Sequence, residues 1–112
     1  MKVFSLSFDD DRPGEYLQKG FRKDIYVYAN GRYYSMEIIT TRRILQEIVF
    51  EVDYYGYYYF EDNCIVTKEI DNQSVIELFS KLDDRYFEPL TQLSKEQLDQ
   101  INQKGYHLIE LI

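Results

Sequence analysis

Asn30-Gly31 sits between two β-rich runs, Ile25-Tyr26-Val27-Tyr28 and Arg32-Tyr33-Tyr34-Ser35-Met36-Glu37-Ile38. A type I′ turn needs positive φ at both central positions, and Asn-Gly meets that demand at low steric cost. The pattern predicts a β-hairpin over Asp24–Ile39. The hairpin tyrosines, Tyr26, Tyr28, Tyr33 and Tyr34, suit cross-strand aromatic pairing.

The other elements follow from periodicity and caps. Residues 2–8 alternate, with Val3, Ser5 and Ser7 on one face and Phe4, Leu6 and Phe8 on the other, which predicts a strand with one buried face. Asp9-Asp10-Asp11-Arg12-Pro13-Gly14 ends it in a loop. Glu15 to Gly20 is ambiguous; Tyr16 and Leu17 fit a short helical turn closed by Gly20. Thr40-Thr41 caps a helix in which Ile44, Leu45, Ile48, Val49 and Val52 form one apolar stripe. That helix should fade near Asp53, with Gly56 as a fitting stop. Cys64–Thr67 reads as a strand after a turn at Asp62-Asn63. Asp71-Asn72 opens a second helix, with Val75, Leu78, Phe79 and Leu82 on one face, and Pro89 breaks the segment beyond it. Ser94-Lys95-Glu96-Gln97 fits a capping box for a third helix, with Leu98 and Ile101 inward and Gly105 as its stop. Tyr106–Ile112 is a terminal strand. The order predicts an α+β domain: a mixed, mainly antiparallel sheet with a β-hairpin, and about three helices packed on one face. Residues 1–112 form a single domain, and 45% apolar residues suffice for a core without metals or disulfides.

Charge narrows the partners. Twenty acids against 13 bases leave a formal net charge of −7. Such a surface repels phosphate backbones, so no direct nucleic-acid partner is expected. It attracts basic protein surfaces, chiefly by accelerating encounter, and it also aids solubility. The single cysteine, Cys64, cannot form an internal disulfide, which points to a reducing compartment. Met1 to Phe8 is too short and too interrupted for an export signal, and no run approaches a membrane span, so a cytoplasmic location is expected.

Catalytic and cofactor chemistry finds little support. One cysteine and one histidine are too few ligands for a structural zinc site. Asp9-Asp10-Asp11 lacks the spaced ligands and glycine of a calcium loop and reads as a solvated turn. The five glycines are scattered at positions 14, 20, 31, 56 and 105, with no phosphate-cradling loop. Cys64 and His107 both fall in predicted strands and could be neighbours, but no oxyanion hole or orienting third group accompanies them. Cys64 reads better as a small buried hydrophobe and His107 as an edge or solvent-facing residue. No metal, no cofactor and no catalytic residue is expected.

The distinctive stretch is Glu51-Val52-Asp53-Tyr54-Tyr55-Gly56-Tyr57-Tyr58-Tyr59-Phe60-Glu61-Asp62, which contains no basic residue. Tyrosine offers a large apolar body, a polar tip and few rotors, so it gains contact area at modest entropic loss. Neighbouring acids pair with lysine and arginine, and the rings accept cation–π contacts from the same groups. Tyrosines also fill small cores, and strand alternation would turn some of Tyr54 to Tyr59 inward. The residues expected to bind a partner are Asp53, Tyr55, Tyr57, Tyr59, Glu61 and Asp62.

In overall character the chain resembles the immunity proteins of bacterial contact-dependent growth inhibition, a polymorphic toxin system. The resemblance rests on the hairpin Asp24–Ile39, the stretch Glu51–Asp62 and the acidity of the whole chain. It implies a cytoplasmic antitoxin that binds the C-terminal domain of one cognate toxin, often a nuclease with a basic surface, and covers its active site. Two other classes stay open: an adaptor or dimeric structural protein joined by aromatic packing, and a small enzyme using Glu47 or Glu51 as acid or base. Oligomeric state is open as well.

Overall fold

A computed structural model describes residues 1–7 and 15–112. The elements in chain order are β1 (Lys2–Ser7), α1 (Glu15–Lys19), β2 (Phe21–Ala29), β3 (Arg32–Thr40), α2 (Thr41–Tyr55), β4 (Cys64–Thr67), α3 (Asn72–Ser80), a 3-10 turn at Asp84–Phe87, α4 (Lys95–Gln103) and β5 (His107–Glu110). The strands form one sheet in the order β4-β3-β2-β1-β5. It is an α+β fold with a mixed, mainly antiparallel sheet.

The hairpin forms as its turn residues require. Asn30 has φ 57° and Gly31 φ 72°, and Ala29 pairs with Arg32 directly across the turn. A one-residue bulge interrupts β2 between Arg22 and Ile25. It keeps Arg22 on the same face as Ile38, its partner in β3. There the Arg22 side chain is almost wholly buried, so its charge must be met. Nε and Nη2 bind the two carboxylate oxygens of Asp24 at 2.9 and 2.8 Å. Nη1 donates to the Ile70 carbonyl at 2.8 Å and to Asn72 Oδ1 at 2.9 Å. One guanidinium thus ties the hairpin to the start of α3.

The core lies on this face. Val3 from β1, Ile25 and Val27 from β2, and Met36 and Ile38 from β3 meet Val75 and Phe79 of α3 and Phe87 of the 3-10 turn. The Phe79 and Phe87 rings stack at 6.2 Å, and Tyr34 lies 5.7 Å from Phe87. Caps behave as expected: Asp71 accepts from the Ser74 amide, and Ser94 and Gln97 form the complete capping box. α1 is the short turn ending at Gly20, whose φ is 77°.

Three expectations need correction. Val3 belongs to the main core while Leu6, on the other face of β1, is also buried, so β1 is covered on both sides rather than one. The helices do not share one face. β3 and β4 run parallel, which obliges the connecting α2 to cross over the sheet, and it does so on the face opposite α3. Arg43 of α2 lies over the Phe21 ring at 5.3 Å on that second face. Finally, α2 carries the expected stripe, but Ile44 is its only buried residue. The expected loop at Asp9–Gly14, with its candidate calcium ligands, lies outside the described residues.

Candidate functional site

α2 runs to Tyr55, two residues beyond Asp53. Gly56 then takes the left-handed conformation, φ 87°, and its N–H closes on the Val52 carbonyl at 2.9 Å. A residue with a Cβ would be strained at that φ, so glycine sets where the chain leaves the helix. Residues 57–61 return in irregular backbone to the turn at Asp62-Asn63. Asn63 fastens the far end. Its Nδ2 donates to the Ser35 and Thr91 carbonyls at 3.1 and 2.7 Å, and its Oδ1 accepts from the Thr91 amide at 3.0 Å. The Glu37 amide also donates to the Asn63 carbonyl at 2.9 Å.

At the end of α2 and between these anchors the aromatic side chains point outward. Tyr54, Tyr57 and Tyr59 are 73%, 68% and 70% exposed, and Tyr55 and Phe60 are exposed too. The inward alternation expected for Tyr54 to Tyr59 does not occur, because these residues belong to a helix end and a loop rather than a strand. Only Tyr58 is partly covered. The rings order one another instead: Phe50 and Tyr54 stack at 5.9 Å, Tyr54 meets Tyr55 edge-on at 4.9 Å, and Tyr58 meets Phe60 at 6.2 Å.

The loop forms a ridge between two depressions, with Tyr59 and Glu61 on the walls of both. One, of about 310 Å³, also takes in Ser35, Asp62, Thr91 and Leu93. The other, of about 180 Å³, lies between α2 and the sheet. It gathers Glu37, Glu47, Glu51 and Glu61 with Lys23 and Arg43 as counter-charges, and Arg43 binds Glu47 at 3.3 Å. Burial raises the Glu37 carboxyl; Lys23 opposes that rise, and Glu61 and Glu47 add to it.

All six residues expected to bind a partner, Asp53, Tyr55, Tyr57, Tyr59, Glu61 and Asp62, are exposed and fall within this helix end and ridge. Tyr54 and Phe50 join them through stacking. Glu37 is not among the residues expected from sequence, although its alternation with Met36 and Ile38 in β3 places it on the second face. The two glutamates held open as acid or base, Glu47 and Glu51, share the smaller cleft.

Cys64 stands in the same cleft, and its chemistry there is unfavourable for attack. Burial first, then the charges of Glu37, Glu61 and Glu47, push its thiol up to about 11. The suggested partnership with His107 does not form. Cys64 is in β4 and His107 in β5, at opposite edges of the sheet. Four strand spacings separate them, roughly 19 Å. The thiolate is the reactive species, and its greater basicity offsets only part of its scarcity, so at pH 8 Cys64 should react with a disulfide reagent roughly tenfold more slowly than a thiol of ordinary pKa. Absorbance-monitored labelling of the folded and urea-unfolded chain measures this; equal rates would contradict the burial and the negative charge around this thiol.

Among the described residues, no group of three or more histidine, cysteine, aspartate or glutamate residues is placed to hold a metal ion. No described helix is long and apolar enough to cross a membrane. No protein-family model, curated protein or solved structure matches the chain.

Proposed function

We propose that the chain is a protein-binding module whose working surface is the ridge of residues 53–62. Within that class, we read it as a cytoplasmic, non-catalytic immunity protein that neutralises a toxin domain with a basic surface, such as a nuclease. The observation that carries this reading is the outward tyrosine set, Tyr55, Tyr57 and Tyr59, interleaved with Asp53, Glu61 and Asp62. Exposed aromatic patches of this kind mark binding surfaces, and aromatic anchors carry much of the energy of protein interfaces. The carboxylates supply the sign of the partner. A nuclease cleft must be basic to hold a phosphate backbone, and an acidic ridge complements it and accelerates encounter.

The test is growth rescue. Where the gene immediately upstream encodes a large exported protein, the C-terminal domain of that protein is expressed with and without this chain. Rescue of growth supports the reading, and arrest despite abundant folded chain overturns it. In the complex, the double variant Glu61→Lys, Asp62→Lys should weaken binding at least about tenfold and flatten its salt dependence, because like charges then face each other across the interface. Calorimetric titration at two salt concentrations measures both; unchanged affinity and unchanged salt dependence would remove these two residues from the contact.

A further inference from the structure

α2 presents two chemically different sides. Arg43, Glu47 and Glu51 line the cleft toward Phe21 and Lys23 of β2. Thr41, Leu45, Ile48 and Val52, spaced at three or four residues, share another side. That side is toward β4, since Thr41 Oγ1 reaches the Thr67 carbonyl at 3.5 Å. β4 is the edge strand, so no further strand lies beneath that flank. Leu45, Val49 and Val52 are consequently exposed, Val49 by 61%, and so is Val66 of β4, the register partner of Ile39.

The charges along α2 bear on what could cover this flank. Its first turn contains Arg42 and Arg43 and no acid, while its last turn contains Asp53 and no base. This opposes the helix macrodipole, which favours acids at the N-terminus and bases at the C-terminus. Arg42 and Asp53 are eleven residues apart, about three turns, so both border the same edge of the apolar stripe. A partner of one charge sign would complement only one end. A second α2 running antiparallel complements both, and the two macrodipoles then oppose.

We propose that the chain forms a two-fold symmetric homodimer through antiparallel packing of α2 on α2. With the axis between Ile48 and Val49, Leu45 of each copy lies opposite Val52 of the other. Arg42 then comes within about 3 Å along the axis of the partner's Asp53, in reach of its long side chain. The interface is isologous, as two-fold dimers require. It shares Asp53 with the ridge and otherwise uses the flank away from the Glu47–Glu51 cleft, so it goes beyond the toxin partner; the isolated chain reports on it whether or not a toxin exists.

Sedimentation velocity of the full chain is the test. The expected result is a concentration-dependent monomer–dimer equilibrium. Val49→Glu should raise the dissociation constant by at least about 100-fold, because it places charge in the apolar seam. Its circular dichroism should stay unchanged, since the site is exposed in the monomer. Arg42→Glu alone and Asp53→Lys alone should each weaken the dimer, and the double exchange should restore it. A chain that stays monomeric at millimolar concentration overturns the proposal, as does a dimer unaffected by Val49→Glu. A double exchange that leaves the dimer as weak as the singles overturns the antiparallel pairing.

Discussion

Arg22→Met should lower the unfolding free energy by about 3–5 kcal/mol, the range for removing one member of a buried ion pair. Methionine fills much of the space but supplies none of the four hydrogen bonds to Asp24, Ile70 and Asn72. The Asp24 carboxylate is left partly buried without its counter-charge, and the Ile70 carbonyl loses a buried donor. The double variant Arg22→Met, Asp24→Leu removes both charges and should lose less than the two single variants added together. Urea denaturation of the three variants and the parent measures this. A loss below about 1 kcal/mol for Arg22→Met would mean that the guanidinium does not hold the hairpin to α3.

Phe87→Ala should cost about 3–5 kcal/mol, the usual range for emptying a buried aromatic site. The ring is wholly buried and meets Phe79, Tyr34 and Tyr86, so truncation leaves a cavity between α3 and the hairpin. Phe50→Ala on α2 provides the contrast. Phe50 is 65% exposed and contacts Tyr54, so its loss should stay within about 0.5 kcal/mol. Denaturant midpoints at constant slope distinguish the two cases. Comparable losses at the two positions would mean that α2 is packed rather than exposed.

The two phenylalanines also show why composition misleads in this chain. Both are large apolar residues in acidic surroundings, Phe50 within Val49-Phe50-Glu51 and Phe87 within Tyr86-Phe87-Glu88. The buried one follows a helix in a short 3-10 turn, where no long periodic pattern marks it. The exposed one sits in the longest helix of the described residues, where an apolar residue would ordinarily be expected to pack.

The candidate site divides in the same way. Asp53, Tyr55, Tyr57, Tyr59, Glu61 and Asp62 are close in sequence, so their neighbourhood was visible without a structure. Their exposure was not, because it depends on Gly56 ending α2 and on Asn63 tying the loop to Ser35 and Thr91, 28 residues away in each direction. Glu37 joins the adjacent cleft only because β4 aligns beside β3, with Cys64 opposite Glu37.

Local chemistry was enough for the Asn30-Gly31 hairpin, the Thr40, Asp71 and Ser94 caps, the Gly56 stop and the span of β4. In each case the deciding interaction lies within a few residues, so neighbouring side chains and backbone torsions specify it. The tertiary structure decided that β4 lies parallel to β3, that α2 crosses the face opposite α3, and that its stripe looks past the sheet edge. Those outcomes depend on which surfaces meet over long separations. An apolar stripe records that a helix has a face to cover, but only the arrangement of the other elements determines whether this chain covers it.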